Sequence, residues 1–238
     1  MLDFSKSFSL LERIDKQYSK HISMKKQINE AMKDTFSYDE LEKIQTQDFM
    51  RGSGECVGAL NYCKDQLGPS IGEGSSRAVF QIDDEKCLKL AYNRKGVQQN
   101  KVELSVNPNK SPLFPIVFKA SKNNYWIETE AVLPAQEEDW EQCLNMDVYD
   151  FFSLCYEISN SVYSSSIKQN VEDFIATDKS GMLKELYNYI VDNDIPVGDI
   201  VRVENWGLAK RNGKEYLVLL DAGWNQETMR MYAGVFYS

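Results

Sequence analysis

The sequence predicts an α+β fold: a small antiparallel sheet, a helical extension before it and a largely helical part after it. Three observations lead there. Residues 77–82 (RAVFQI) alternate with the period of a half-buried strand, and residues 87–91 (CLKLA) return after the polar turn Asp83-Asp84-Glu85. Asn212-Gly213 stands between two extended runs, the strongest short-range signal of a β-hairpin. Between these regions Trp140, Leu144, Val148, Phe151, Phe152, Cys155, Ile158 and Val162 keep a 3.6-residue period. That spacing predicts one long buried helix over residues 137–163.

In chain order, residues 1–69 read as a helical extension. Ser9 opens one capping box, and Ser37 with Glu40 opens another, with Phe36 and Leu41 spaced for a hydrophobic staple. A further helix is expected over 55–66, stopping at Gly68. His21 is read as a surface residue of its helix, and Trp206 and Trp224 as packing residues. After the central strands, residues 115–118 and 124–130 read as two more, giving a sheet of about five. A helix is expected over 180–192 with Leu183, Leu186, Tyr187 and Ile190 inward. The expected division is 1–69, 70–132 and 133–238, with residues 131–134 linking the last two.

Composition removes several classes of function. The 238 residues are 42% hydrophobic and 26% charged, as in globular proteins that bury a proper core. A net charge of −9 lacks the basic surface of a general nucleic-acid binder. No stretch approaches the ~18 apolar residues of a membrane span. The opening MLDFSKSFSLLERIDK lacks the basic-then-apolar layout of a secretory leader, so a cytoplasmic location is expected. Five cysteines without a C-x-x-C pair read as reduced, mostly buried thiols. With His21 as the only histidine, a histidine-based triad in the core is excluded and a zinc site is not expected.

Two stretches carry chemistry. The first is IGEGSSRAVFQIDDEKCLKLAYNRKGVQQNKVE, residues 71–103. Gly72 and Gly74 flank a loop that could approach a ligand closely, since glycine reaches backbone conformations closed to other residues. Lys89 within an apolar strand needs a counter-charge or an anionic ligand, and Glu103 stands on the short helix that follows. The second stretch is the hairpin. If Asn212-Gly213 is its turn, Arg211 faces Lys214 and Asn205 faces Leu220, so Asn205 and Asp221 share its open end. An amide oxygen and a carboxylate there suit Mg²⁺, and the loop carrying Asp199 enters at the same end.

This order of loop, strand, lysine strand, glutamate helix and Asp–Asn–Asp series resembles the protein kinases, over residues 70–223. The resemblance implies a two-lobe kinase-like fold with a small antiparallel β-sheet lobe, a truncated helical C-lobe and the N-terminal helical extension. It implies ATP and Mg²⁺ as ligands. Asp199 would be the catalytic base, and Lys89, paired with Glu103, would hold the α- and β-phosphates. Gly72, Gly74, Ser75 and Ser76 would cradle phosphates, Glu130 and Val132 would frame the adenine edge, and Asn205 with Asp221 would hold the metal. GEGSSRAVF followed by LKLAYNRKGVQQNKVE also resembles a group of kinase-like proteins of tailed bacteriophages. That likeness implies the host cytoplasm or the virion, and a host or virion protein partner met through residues 1–69.

The sequence departs from the kinase pattern in named places. Arg77 stands where a third glycine is usual, Ala222 follows Asp221 where Phe is usual, and Val197-Gly198 precede Asp199 in place of His-Arg. Asp199 and Asn205 are six positions apart rather than five, and fifteen residues follow Gly223, without an activation segment. Two functions therefore remain open: an ATP-dependent phosphotransferase acting on a protein or small-molecule hydroxyl, and a catalytically inactive pseudokinase that binds other proteins.

Overall fold

The computed structural model describes residues 36–51, 55–105, 111–193, 195 and 197–221. The expected Ser9 cap, His21, Ala222-Gly223 and Trp224 lie outside them. In order come helices α1 (Tyr38–Arg51) and α2 (Val57–Leu67), strands β1 (Gly72–Glu73), β2 (Arg77–Gln81) and β3 (Lys86–Ala91), and helix α3 (Arg94–Ser105). Strands β4 (Val117–Ala120), β5 (Trp126–Glu130) and β6 (Leu133–Pro134) follow. Helices α4 (Glu138–Leu144), α5 (Val148–Ser161), α6 (Ser165–Ile175), α7 (Met182–Asn193) and α8 (Val197–Ile200) lead to the hairpin β7 (Trp206–Arg211) and β8 (Lys214–Leu219). The fold is α+β. Both sheets are antiparallel, one of five strands in the order β1-β2-β3-β5-β4 and one of three in the order β6-β7-β8.

Alternation along β3 divides the larger sheet into two faces. Leu88 and Leu90 join Leu41, Cys63, Ala78 and Phe80 in an apolar cluster under α1 and α2. Ser37 caps α1 as its sequence suggests, its Oγ accepting from the Glu40 amide at 3.3 Å. The reciprocal half of the box is replaced, since the Ser37 amide donates to the Tyr62 hydroxyl at 2.9 Å. Asp48 on α1 accepts from the Ala59 amide at 2.9 Å, placing a carboxylate on the first turn of α2. The opposite face carries Lys89 and is crossed by α3.

A second, separate cluster is built around Trp140, Phe151, Trp206 and Leu186 from α4, α5, β7 and α7. Here the long helix expected over 137–163 is broken. Asn145 turns left-handed at φ 54° to end α4, and the Asp147 side chain then accepts from the amides of Tyr149 and Asp150 to start α5. Helix α6, absent from the sequence reading, lays Val171 and Ile175 into the same cluster. In α7 Tyr189 is the buried tyrosine, and Tyr187 only partly so. All five cysteines are free thiols, four of them buried. Burial pushes Cys56 and Cys63 up to about 12, so both stay protonated at neutral pH. No helix among the described residues is long and apolar enough to cross a membrane.

Candidate functional site: a buried charge cluster between the two sheets

The site begins with one face of α3. Gly96, Gln99, Asn100 and Glu103 follow the i, i+3, i+4, i+7 spacing that aligns side chains on a helix, and each meets the loop before β2 or the strand itself. A Cβ on Gly96 would lie 2.2 Å from the Ser76 carbonyl oxygen, so only glycine admits this approach. Gln99 accepts from the Ser76 hydroxyl. Asn93 donates to the Ser75 carbonyl at 3.0 Å, and the Tyr92 hydroxyl donates to the carbonyl of Gly74. The loop is thus fastened by its carbonyls to the start of α3.

Gly72 lies in β1 and Gly74 in the loop that follows it. Neither has a positive φ, and a Cβ on either would meet nothing closer than 3.8 Å. The turn closes instead through the Gly74 amide, which donates to the Arg77 carbonyl at 2.9 Å. Ser75 is exposed, whereas Ser76 is buried with its hydroxyl proton committed to Gln99.

Past the loop, two cations lie side by side. Register pairs Arg77 with Ala91 and Val79 with Lys89, so Arg77 and Lys89 share a face of the sheet. Lys89 donates to Glu103 Oε1 and to the Leu220 carbonyl, the latter at 2.6 Å. Arg77 Nη1 donates to Glu103 Oε2 at 2.6 Å and to Asn100 Oδ1 at 3.2 Å, and its Nη2 donates to Asp221 Oδ1 at 2.7 Å. Asn100 is held in turn by the Asn124 carbonyl at 2.9 Å. Side-chain exposure is 9% for Arg77, 8% for Lys89 and 3% for Glu103, against 34% for Asp221. Two cations and two carboxylates balance. Removing one member of such a buried set costs several kcal/mol, because its partner keeps its charge without compensation.

The hairpin supplies the other wall. Asn212 and Gly213 take φ values of 51° and 78°, the two positive φ of a type I′ turn, with Arg211 opposite Lys214. Pairing runs back to Trp206 opposite Leu219, and the Leu220 amide donates to the Asn205 carbonyl at 2.8 Å. Asn205 and Asp221 therefore flank the same open end. Burial and the charge of Asp221 raise the Asp199 carboxyl above the ordinary range, against a lowering by Arg202. Tyr189, beneath the cluster, has its phenol pushed upward by burial and by the charges of Asp221, Glu103 and Asp199.

Both residues expected to ligate Mg²⁺ already hold other partners. Asp221 Oδ1 already accepts a guanidinium hydrogen bond, and the Asn205 amide nitrogen donates to the Asp199 carbonyl at 2.6 Å. Among the described residues no group of three or more His, Cys, Asp and Glu could hold a metal. A small hard cation needs several oxygen ligands, and Asp221 and Asn205 by themselves would supply two of them.

Glu130 and Val132 lie apart from the charges. Lys89 pairs with Ile127 across the sheet, so alternation turns Glu128 and Glu130 to the other face. The Glu130 carboxylate is gripped by Arg211 at 2.6 Å and accepts from the Ile116 amide at 3.2 Å, and the Glu130 amide donates to the Ile116 carbonyl at 2.7 Å. Val132 packs against Gly207, where a Cβ would come within 2.6 Å of it. Arg77, Asn100 and Tyr189 are members of the cluster that the sequence reading did not assign a role. The helical spacing of Gly96, Gln99, Asn100 and Glu103 was the available signal for Asn100.

No family model matches the sequence, and no curated protein matches it. Among solved structures the chain is similar to one in the structure of the streptomycin-ATP-APH(2")-IIa ternary complex. The TM-score is 0.31 with 11% sequence identity, over 70% of this chain and 70% of that chain. This is a slight likeness.

Proposed function

We propose that this chain is a kinase-like protein whose cleft between the two sheets binds the polyphosphate of ATP. In this reading residues 70–132 form the nucleotide lobe, residues 133–238 a shortened second lobe and residues 1–69 an extension. One observation carries it: Lys89 from the sheet and Glu103 from α3 form a buried ion pair, with Asp221 brought beside it from the second sheet. Lysine in an apolar strand is costly, and a fold that retains one opposite a helix glutamate gains a cation at a fixed place.

Asp199 is the group we assign to proton transfer. Its raised carboxyl lies nearer to neutrality than an ordinary aspartate, which suits a general base. In the transfer, a substrate hydroxyl oxygen would bond to the terminal phosphorus of ATP while the bridging P–O bond breaks. ADP would leave with that electron pair, and the hydroxyl proton would pass to Asp199. Calorimetric titration of ATP, with product assay, tests this on the parent and on Asp199→Asn. Binding by both with transfer only by the parent is expected. Absence of ATP binding by the parent sinks the reading.

A second reading has its own support. The Arg77–Asp221 contact fills the place beside the expected metal carboxylate, as befits an inactive scaffold that binds a host or virion protein. An ATP-binding parent with no transfer to any hydroxyl tested would favour it.

A further inference from the structure

We propose that Arg77 is the resident cation of this site, occupying Asp221 where a divalent ion would sit and closing that carboxylate to metal. The proposal concerns Arg77 and Asp221 alone and holds whether or not ATP binds. Arg77 is no surface side chain lying across the cleft by chance. Its guanidinium is held at three acceptors on two elements: Asn100 and Glu103 of α3, and Asp221 after β8. Those acceptors are themselves fixed, Asn100 by the Asn124 carbonyl and Glu103 by Lys89.

The backbone of Arg77 is equally constrained. It opens β2 opposite Ala91, and the residue before it is locked to α3 through the Ser76–Gln99 hydrogen bond and the close approach of Gly96. A guanidinium cannot lose its proton at any ordinary pH, so the contact does not open by titration of the arginine. A planar fork that satisfies two carboxylates from different elements also fixes their separation.

Charge gives the second half. The described cluster already balances Arg77 and Lys89 against Glu103 and Asp221. A divalent ion on Asp221 would have to share that carboxylate with the guanidinium at Oδ1 or displace it, and in either case would sit beside two buried cations, with like-charge repulsion strengthened by low exposure. The neighbouring Asn205 amide is turned to the Asp199 carbonyl and adds no second charge. Arg77 therefore prevails at the carboxylate expected to anchor the ion.

The test uses Mn²⁺, whose binding is read by electron paramagnetic resonance, on the full chain. An acidic protein binds Mn²⁺ at unrelated places, so each measurement is referred to its Asp221→Asn counterpart. The parent and Asp221→Asn are expected to bind Mn²⁺ alike. Arg77→Gln uncovers the carboxylate while leaving Glu103 with Lys89, and is expected to gain at least tenfold in affinity, a gain lost in Arg77→Gln/Asp221→Asn. A folded Arg77→Gln with no gain overturns the proposal. Should Arg77→Gln not fold, the parent pair decides alone: equal binding upholds the proposal, and a site in the parent that Asp221→Asn removes overturns it.

Discussion

The two faces of β3 are held together by different physics, although they alternate residue by residue. On one side Leu88 and Leu90 are fully buried among Leu41, Ala59, Cys63 and Phe80, beneath α1 and α2. On the other Lys89 is nearly as buried, at 7% exposure, yet its partners are Glu103 and a carbonyl oxygen. The apolar face responds to volume: what matters is the cavity left behind. The charged face responds to pairing: what matters is which ion remains without a partner. The first face gives stability, and the second is where binding would be found.

Changes on the charged face should therefore be asymmetric. Glu103 serves both Lys89 and Arg77, so Glu103→Gln strips a carboxylate from two buried cations at once. We expect a loss of about 3–5 kcal/mol in urea denaturation, although Gln keeps the shape. Lys89→Met should cost clearly less, because Glu103 retains Arg77. Equal losses from the two variants would mean that the cluster does not share its charges in this way.

A smaller effect is expected where α3 meets the loop. Gly96→Ala places a methyl 2.2 Å from the Ser76 carbonyl, and backbone on both sides must shift. A loss of about 1–3 kcal/mol is expected, with faster amide exchange in residues 74–77. Unchanged exchange there would show that the loop is not fastened through Gly96.

The smallest effect is a pH dependence. The Asp199 carboxyl is raised in the folded chain, so folding favours its protonated form. That contribution is complete below the ordinary carboxylate range and is lost as pH rises through the raised folded value. Asp199→Asn cannot titrate and lacks this loss. Relative to the variant, the parent should lose stability across the window just above the ordinary range and hold level beyond it. Parallel melting profiles from acid to neutral pH would contradict the assignment.

Local signals made much of this legible. A period-2 run marked β2 and the polar turn after it marked the return in β3, Asn212-Gly213 marked the hairpin, and Ser37 marked the start of α1. The sequence reading erred where a local signal was overlooked or a partner was distant. Asn145 and Asp147 punctuate a helical period that looks continuous when only apolar residues are counted. Arg77 read as a missing glycine, because its partner Asp221 lies 144 residues away and comes near only through the second sheet. The Glu130 side chain is likewise held by a distant partner, Arg211, 81 residues away, on the face turned from Lys89. Such long-range pairings are products of topology, which no window of sequence contains.

The division of labour on β3 is tested most directly by measuring stability and ATP affinity together in Leu88→Ala and Lys89→Met. Leu88→Ala is expected to lose about 2–5 kcal/mol of stability and, below its melting range, to bind ATP as the parent does. Lys89→Met is expected to stay folded and lose ATP binding by tenfold or more. If Lys89→Met binds ATP as the parent does, or if Leu88→Ala loses affinity while still folded, the charged face of β3 is not the site.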